Sequence, residues 1–151
     1  MATWSRFAAE QPEFAKAGRQ LLYQYGPGLG YLATVRADGA PRVHPICPFL
    51  SGDDLVMFIV TGTPKYVDLI RDGRVAIHTF SPEDVDDEFH ITGVAQMVRD
   101  EAVRAAAVGD YHLEQVPDDH ALFRIDLRSA MHAKYRFRGE WPPTYRVWKS
   151  A

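Results

Sequence analysis

Residues 30–80 carry strand and turn signals in an order that leaves few ways to fold. The strand-like GYLATVR is followed by the turn ADGAP, a second run RVHPICPFL, the turn SGDD and the apolar run LVMFIV. TGTP then opens a short helix, KYVDLIRD, and RVAIHTF returns to strand. Ala37-Asp38-Gly39 is hairpin chemistry, because glycine supplies the positive φ that such turns need. Tyr31, Ala33 and Val35 alternate with Leu32, Thr34 and Arg36, the period of a strand with two unlike faces. Residues 55–60 are apolar throughout, as in a strand covered on both sides. Hairpin connections dominate, which argues against a doubly wound parallel sheet, whose strands need long crossovers.

The flanking segments fit the same picture. Residues 5–25 have a helical pattern with a break at Pro12, since proline suits the first turn of a second helix better than an interior. Gly26-Pro27-Gly28 ends that helix. The glycine run precedes a strand and so is a terminator, not a dinucleotide loop. Residues 89–98 alternate as a further strand, and Asp100 caps a short helix over 101–108. Phe123, Ile125 and Leu127 point one way, with Arg124, Asp126 and Arg128 the other; residues 134–137 offer one strand more. Six or seven strands with three short helices in 151 residues predict a mainly β fold, a barrel closed to remove its edges. The chain reads as one domain: a helical segment at 1–28, the barrel at 29–137 and a tail at 138–151.

Several function classes have no support. Net charge is −3 and the basic residues are dispersed, so there is no nucleic-acid or anionic-membrane footprint. No apolar run approaches the ~20 residues of a membrane span, and the first residues lack a signal-peptide core; the chain is read as cytoplasmic. Cys47 is the only cysteine and reads as a buried, inert thiol. The acidic run over 81–88 lacks the spacing of a calcium loop. Six histidines are scattered with no HExxH or CxxC spacing, so no metal site is expected. Nor is there a nucleophile elbow or a paired-carboxylate motif for hydrolysis.

One constellation points to chemistry. Thr63 is a good N-cap, Pro64 fits the first helical position and Lys65 follows. Backbone N–H groups, a hydroxyl and an ammonium would together hold a phosphate there; a plain connector helix with a solvated Lys65 is the alternative. Arg42, Val43, His44, Pro45, Ile46, Cys47 and Pro48 place two prolines in a strand, which must then lie at an edge, carry a bulge or face something other than a strand. A flat heterocycle of the flavin kind, with donors and acceptors along one edge, suits unpaired backbone; a protected edge strand explains the prolines equally well. His44 lies on this strand, within reach of a cofactor or substrate. Trp141 and Trp148 would pack on the barrel or cover a ring.

The run PRVHPICPFLSGDDLVMFIVTGTPKYVDLIRDGRVAIH resembles the pyridoxamine 5′-phosphate oxidase-related family, the FMN-binding split β-barrel, over residues 30–98. The resemblance implies a six-stranded antiparallel split barrel, a homodimer, and FMN bound near the dimer interface for redox chemistry on a small-molecule substrate. It implies that Arg42 and Lys65 contact the phosphate and that Val43, His44, Pro45, Ile46 and Cys47 lie along the ring. Phe58, Thr61 and Thr63 would then stand near the phosphate and ribityl chain. The chain departs from the oxidase itself. Pro64 occupies the place of a second basic residue, Glu88 stands near that of a flavin-contacting glutamine, and the C-terminal substrate-phosphate residues have no counterpart. The deazaflavin F420 and haem, bound by other members, are the alternative cofactors, and a non-catalytic binding module is the alternative function.

Overall fold

In a computed structural model covering residues 1–151, the two prolines of the second run decide the topology. The run does not continue as one strand. It splits at Cys47-Pro48 into β2 (Pro41–Ile46) and β3 (Phe49–Ser51), which lie at opposite ends of the sheet. The other elements are α1 (Trp4–Glu10), α2 (Pro12–Leu22), β1 (Gly30–Val35), β4 (Asp54–Val60), α3 (Pro64–Arg71), β5 (Arg74–Thr79), β6 (Glu88–Met97), α4 (Glu101–Asp110), β7 (His120–Lys134) and β8 (Thr144–Lys149). Strands run β2-β1-β5-β6-β7-β4-β3, with β8 added on β7, and every pairing is antiparallel.

Ile46 and Phe49 are three Cα steps apart, at most about 11 Å. The first and last strands of the path are therefore close in space, and the sheet must roll up on itself. No ladder joins β2 to β3, so the roll stays split at that seam. This is a split barrel. Prolines sit on the edge strand β2, where Pro41 and Pro45 face Val35 and Tyr31 of β1 and no inner ladder bond is lost.

Gly28 packs against the seam. A Cβ there would fall 1.8 Å from the Pro48 carbonyl oxygen, a backbone atom that cannot swing aside. Gly28→Ala is therefore expected to cost about 2 kcal/mol by overpacking, read as a lowered midpoint in urea melts. A variant as stable as the parent would show that the seam is slack.

Eight strands and four helices replace the expected six or seven and three. β7 is one strand of 15 residues, so 135–137 form no strand of their own. Its first half pairs with β4 and its second with β8, which puts a strand in the segment read as a tail. Trp148 of β8 is buried against Phe7, with ring centroids 5.0 Å apart, and its Nε1 donates to Glu10 at 2.7 Å. Trp141 is exposed. Asp126, expected on a wet face, is buried because the chain's start covers it: the Ala2 amide donates to its carboxylate at 2.7 Å.

The helices plug the barrel's open faces. α1 and α2 meet at Gln11-Pro12, as expected of that proline, and bring Trp4, Phe7 and Phe14 into edge-on contact with one another and with Phe89. α4, capped by Asp100, covers a smaller cluster of Phe49, Val56, Ala107 and Leu122. No helix is long and apolar enough to cross a membrane.

Candidate cofactor site at the barrel seam

Alternation along β2 sorts the candidate residues. Arg42, His44 and Ile46 share the face of their cross-strand partners Thr34, Leu32 and Gly30, all buried. Pro41, Val43 and Pro45 point the opposite way and are exposed. Cys47 follows the strand, half-buried, with burial pushing its thiol pKa up and Tyr111 bonding to it. The five ring-lining candidates are thus divided between two faces.

α3 packs on β1, β4 and β6 and reaches β2 through Asp68 and Arg42, and its N-terminus forms as read. Thr63 Oγ1 accepts the Tyr66 amide at 3.4 Å and donates to the Val60 carbonyl at 2.7 Å, with Pro64 in the first helical position. The Thr61 amide donates to the Asp119 carbonyl at 2.7 Å, and the residue is exposed. Lys65 is half-buried in the helix's first turn and makes no ion pair. Phe58 is elsewhere: its ring stacks on Phe49 at 5.7 Å and lies 5.3 Å from the Arg104 guanidinium, under α4.

The residue that organises the site is Asp68, which the sequence reading missed. It is 3% exposed and accepts Thr34 Oγ1 at 2.8 Å, Arg42 Nε at 2.8 Å and both Arg71 terminal nitrogens at 3.5 and 3.4 Å. Burial alone would raise its pKa; the bonds from Arg42, Thr34 and Arg71 bring it below the ordinary carboxylate value. Arg71 also donates to the Val35 carbonyl, tying α3 to β1. Arg42 meets Asp68 through Nε alone, so its two Nη groups stay free to bind a second anion end-on. They border a cleft of about 460 Å³ lined by Arg36, Arg71, Gly62 and Pro64 as well.

Lys65 does not line that cleft, yet it shares one neighbour with Arg42. Burial, then the charge of Lys65, then that of Arg42 hold the His44 imidazole below its usual pKa. His44 is thus neutral near pH 7, and its Nε2 is buried without a hydrogen-bond partner. Buried polar atoms are seldom left so. An orphaned ring nitrogen beside the seam thus feels the charges of both Lys65 and Arg42.

The outer face of the sheet is the second feature. Pro45, Tyr31, His78, His90, Met131 and Val147 stand in register across β2, β1, β5, β6, β7 and β8. The Tyr31 and Phe80 rings lie 4.6 Å apart and tilted by 33°, and Val43 and Val147 are exposed at the two ends of this face. No helix covers this face.

Comparison with known proteins agrees with this architecture. The family model for pyridoxamine 5′-phosphate oxidase matches residues 14–148. No curated protein matches the sequence. Among solved structures, a haem-binding protein from Mycobacterium smegmatis superposes with a TM-score of 0.67 at 18% identity. That likeness covers 88% of this chain and 57% of the other, so the chain spans little more than half of that protein. A NimC/NimA family protein from Clostridium acetobutylicum gives 0.66 at 18% identity, covering 93% and 99%. An F420 reductase gives 0.55 at 23%, covering 69% and 89%. At such identities the structures speak for the fold alone. With the family model spanning nearly the whole length and a split barrel in the coordinates, the chain belongs to the pyridoxamine 5′-phosphate oxidase family.

Proposed function

We propose that this protein is an FMN-binding oxidoreductase that works as a homodimer on a small-molecule substrate. The observation that carries the reading is the cleft bordered by the free Arg42 Nη groups, next to His44, whose buried Nε2 lacks a partner and which feels the charges of both Lys65 and Arg42. Arg42, Lys65, Thr61 and Thr63 would hold the phosphate, and the backbone of β2 through Cys47 would lie along the ring. The orphaned nitrogen gives the fit its physical test, since a bound polar group would satisfy it. Bound flavin would supply the hydride chemistry; the protein supplies position, charge and exclusion of water. The uncovered face that carries exposed Val43, Tyr31 and Val147 alongside His78 and His90 is the surface on which a second copy would pack.

F420 is the alternative cofactor. Arg36 and Arg71 line the cleft beside Arg42, paired with Asp38 and Asp68, so three arginines face two aspartates and a modest positive excess is left for a further anionic group. Haem, held by a non-catalytic module, is the remaining alternative.

Titration of the purified protein tests all three. FMN is expected to bind with about micromolar or tighter affinity, as a phosphate clamp plus ring burial permits. A protein that binds neither FMN nor F420 would overturn the redox reading, and a Soret band after haem addition would favour the third.

A further inference from the structure

The largest cleft of the molecule is remote from the seam. About 700 Å³ in volume, it opens between α2 and the β7–β8 end of the sheet, within the size range of small-molecule sites. His132 forms part of its wall. This residue is 5% exposed, and its Nδ1 is buried without a hydrogen-bond partner. The ring rests on Phe14, with centroids 6.1 Å apart and planes tilted by 33°. Burial holds the imidazole below its ordinary pKa; Asp87 opposes that, while Arg146 and Lys134 add to it. Near neutral pH the ring is therefore uncharged, with one N–H to donate.

The charges around it are unevenly used. Asp87 is spent within the fold, accepting Lys134 Nζ at 2.9 Å and the Tyr135 amide at 2.8 Å. Arg146 stands directly across from His132 in the β7–β8 register. Lys16 comes from α2 on the facing wall. Neither cation has a carboxylate partner, and Glu13 is the one acid of the lining left unpaired. Three elements thus bring a guanidinium, an ammonium and an imidazole to one cavity, none of them ion-paired.

We propose that this cleft is a second ligand site, taking a phosphate monoester of metabolite size. Arg146 and Lys16 would bind the phosphoryl oxygens and His132 would donate to one of them, the organic body lying along Ala17 and Leu21. A tetrahedral dianion has enough oxygens to answer donors arriving from three directions. A planar carboxylate offers only two, and satisfies a guanidinium fork better than this arrangement.

The imidazole C–H resonances of His132, assigned by comparison with His132→Gln, provide the readout. Titrations at constant ionic strength would use inorganic phosphate, glycerol 3-phosphate and acetate. Both phosphates are expected to give saturable shifts, the ester binding more tightly and acetate weakly or not at all. Arg146→Gln and Lys16→Gln, both at exposed positions, should each weaken the ester about tenfold. Arg42→Gln should leave the titration unchanged, which separates this site from the one at the seam. The proposal falls if neither phosphate shifts His132 saturably, if acetate binds as well as the ester, or if both cleft variants titrate like the parent.

Discussion

Combining Arg42→Gln with Lys65→Glu is expected to weaken FMN binding at least about a hundredfold, while riboflavin binding stays within about twofold of the parent. The two flavins share ring and ribityl chain and differ only in the phosphate, so their ratio isolates the contribution of the anion. A hydrogen bond to a charged group contributes about 1.5–3 kcal/mol, and a hundredfold corresponds to about 2.8 kcal/mol. Losing the Arg42 fork and reversing Lys65 is therefore more than enough. Glutamine at 42 can still donate to the buried Asp68 carboxylate, which glutamate would repel. Fluorescence titration with both flavins is the measurement. Equal losses for FMN and riboflavin would mean that these cations hold the fold or the ring. No loss for either would put the phosphate elsewhere.

The barrel was legible because its signals are local. Hairpin glycines, the alternation in β1, the apolar run 55–60 of β4 and the cap at Thr63 each follow from neighbours in sequence, and all are present. Departures arose where a distant segment decides the outcome. Cys47-Pro48 reads as the middle of a strand until one sees that it must carry the chain from one edge of the sheet to the other. Thr144–Lys149 is rich in strand formers but follows Trp141-Pro142-Pro143, so it reads as a tail until its pairing with the far half of β7 is seen. Asp126 looks solvent-facing by alternation, yet the backbone of Ala2 covers it.

The candidate site was legible in the same uneven way. Arg42 and Lys65 stand out as cations at the head of a strand and of a helix. The acid that positions Arg42 does not, because Asp68 sits in an amphipathic helix where a carboxylate three residues before Arg71 suggests a solvated ion pair. The one hint was Thr34, a hydroxyl on the inward face of β1 beside Leu32, which needs a buried partner. Phe58 illustrates the opposite case: the family resemblance placed it near the phosphate, and alternation along β4 turns its ring toward Phe49 and Tyr111 under α4.

Asp68→Ala is expected to destabilise the protein by about 3 kcal/mol, most of it from burying Thr34 Oγ1 without its partner. Thr34 is 2% exposed, so its hydroxyl loses its acceptor in a buried setting. The two arginines contribute less, because both are partly exposed and Arg71 keeps the Val35 carbonyl. For a chain of this size the melting temperature should fall by about 8 °C. The effect should also depend on pH in one direction. Asp68 has a folded-state pKa below its unfolded value of 3.8, so its ionised form stabilises the fold above that pH. That contribution disappears as pH falls through the folded value, and the gap between parent and variant should narrow with it. Urea melts at pH 7 and in acid measure both quantities. A gap that is constant with pH would remove the carboxylate's charge from the account, and no gap at all would mean that α3 is held to β1 and β2 by apolar packing alone.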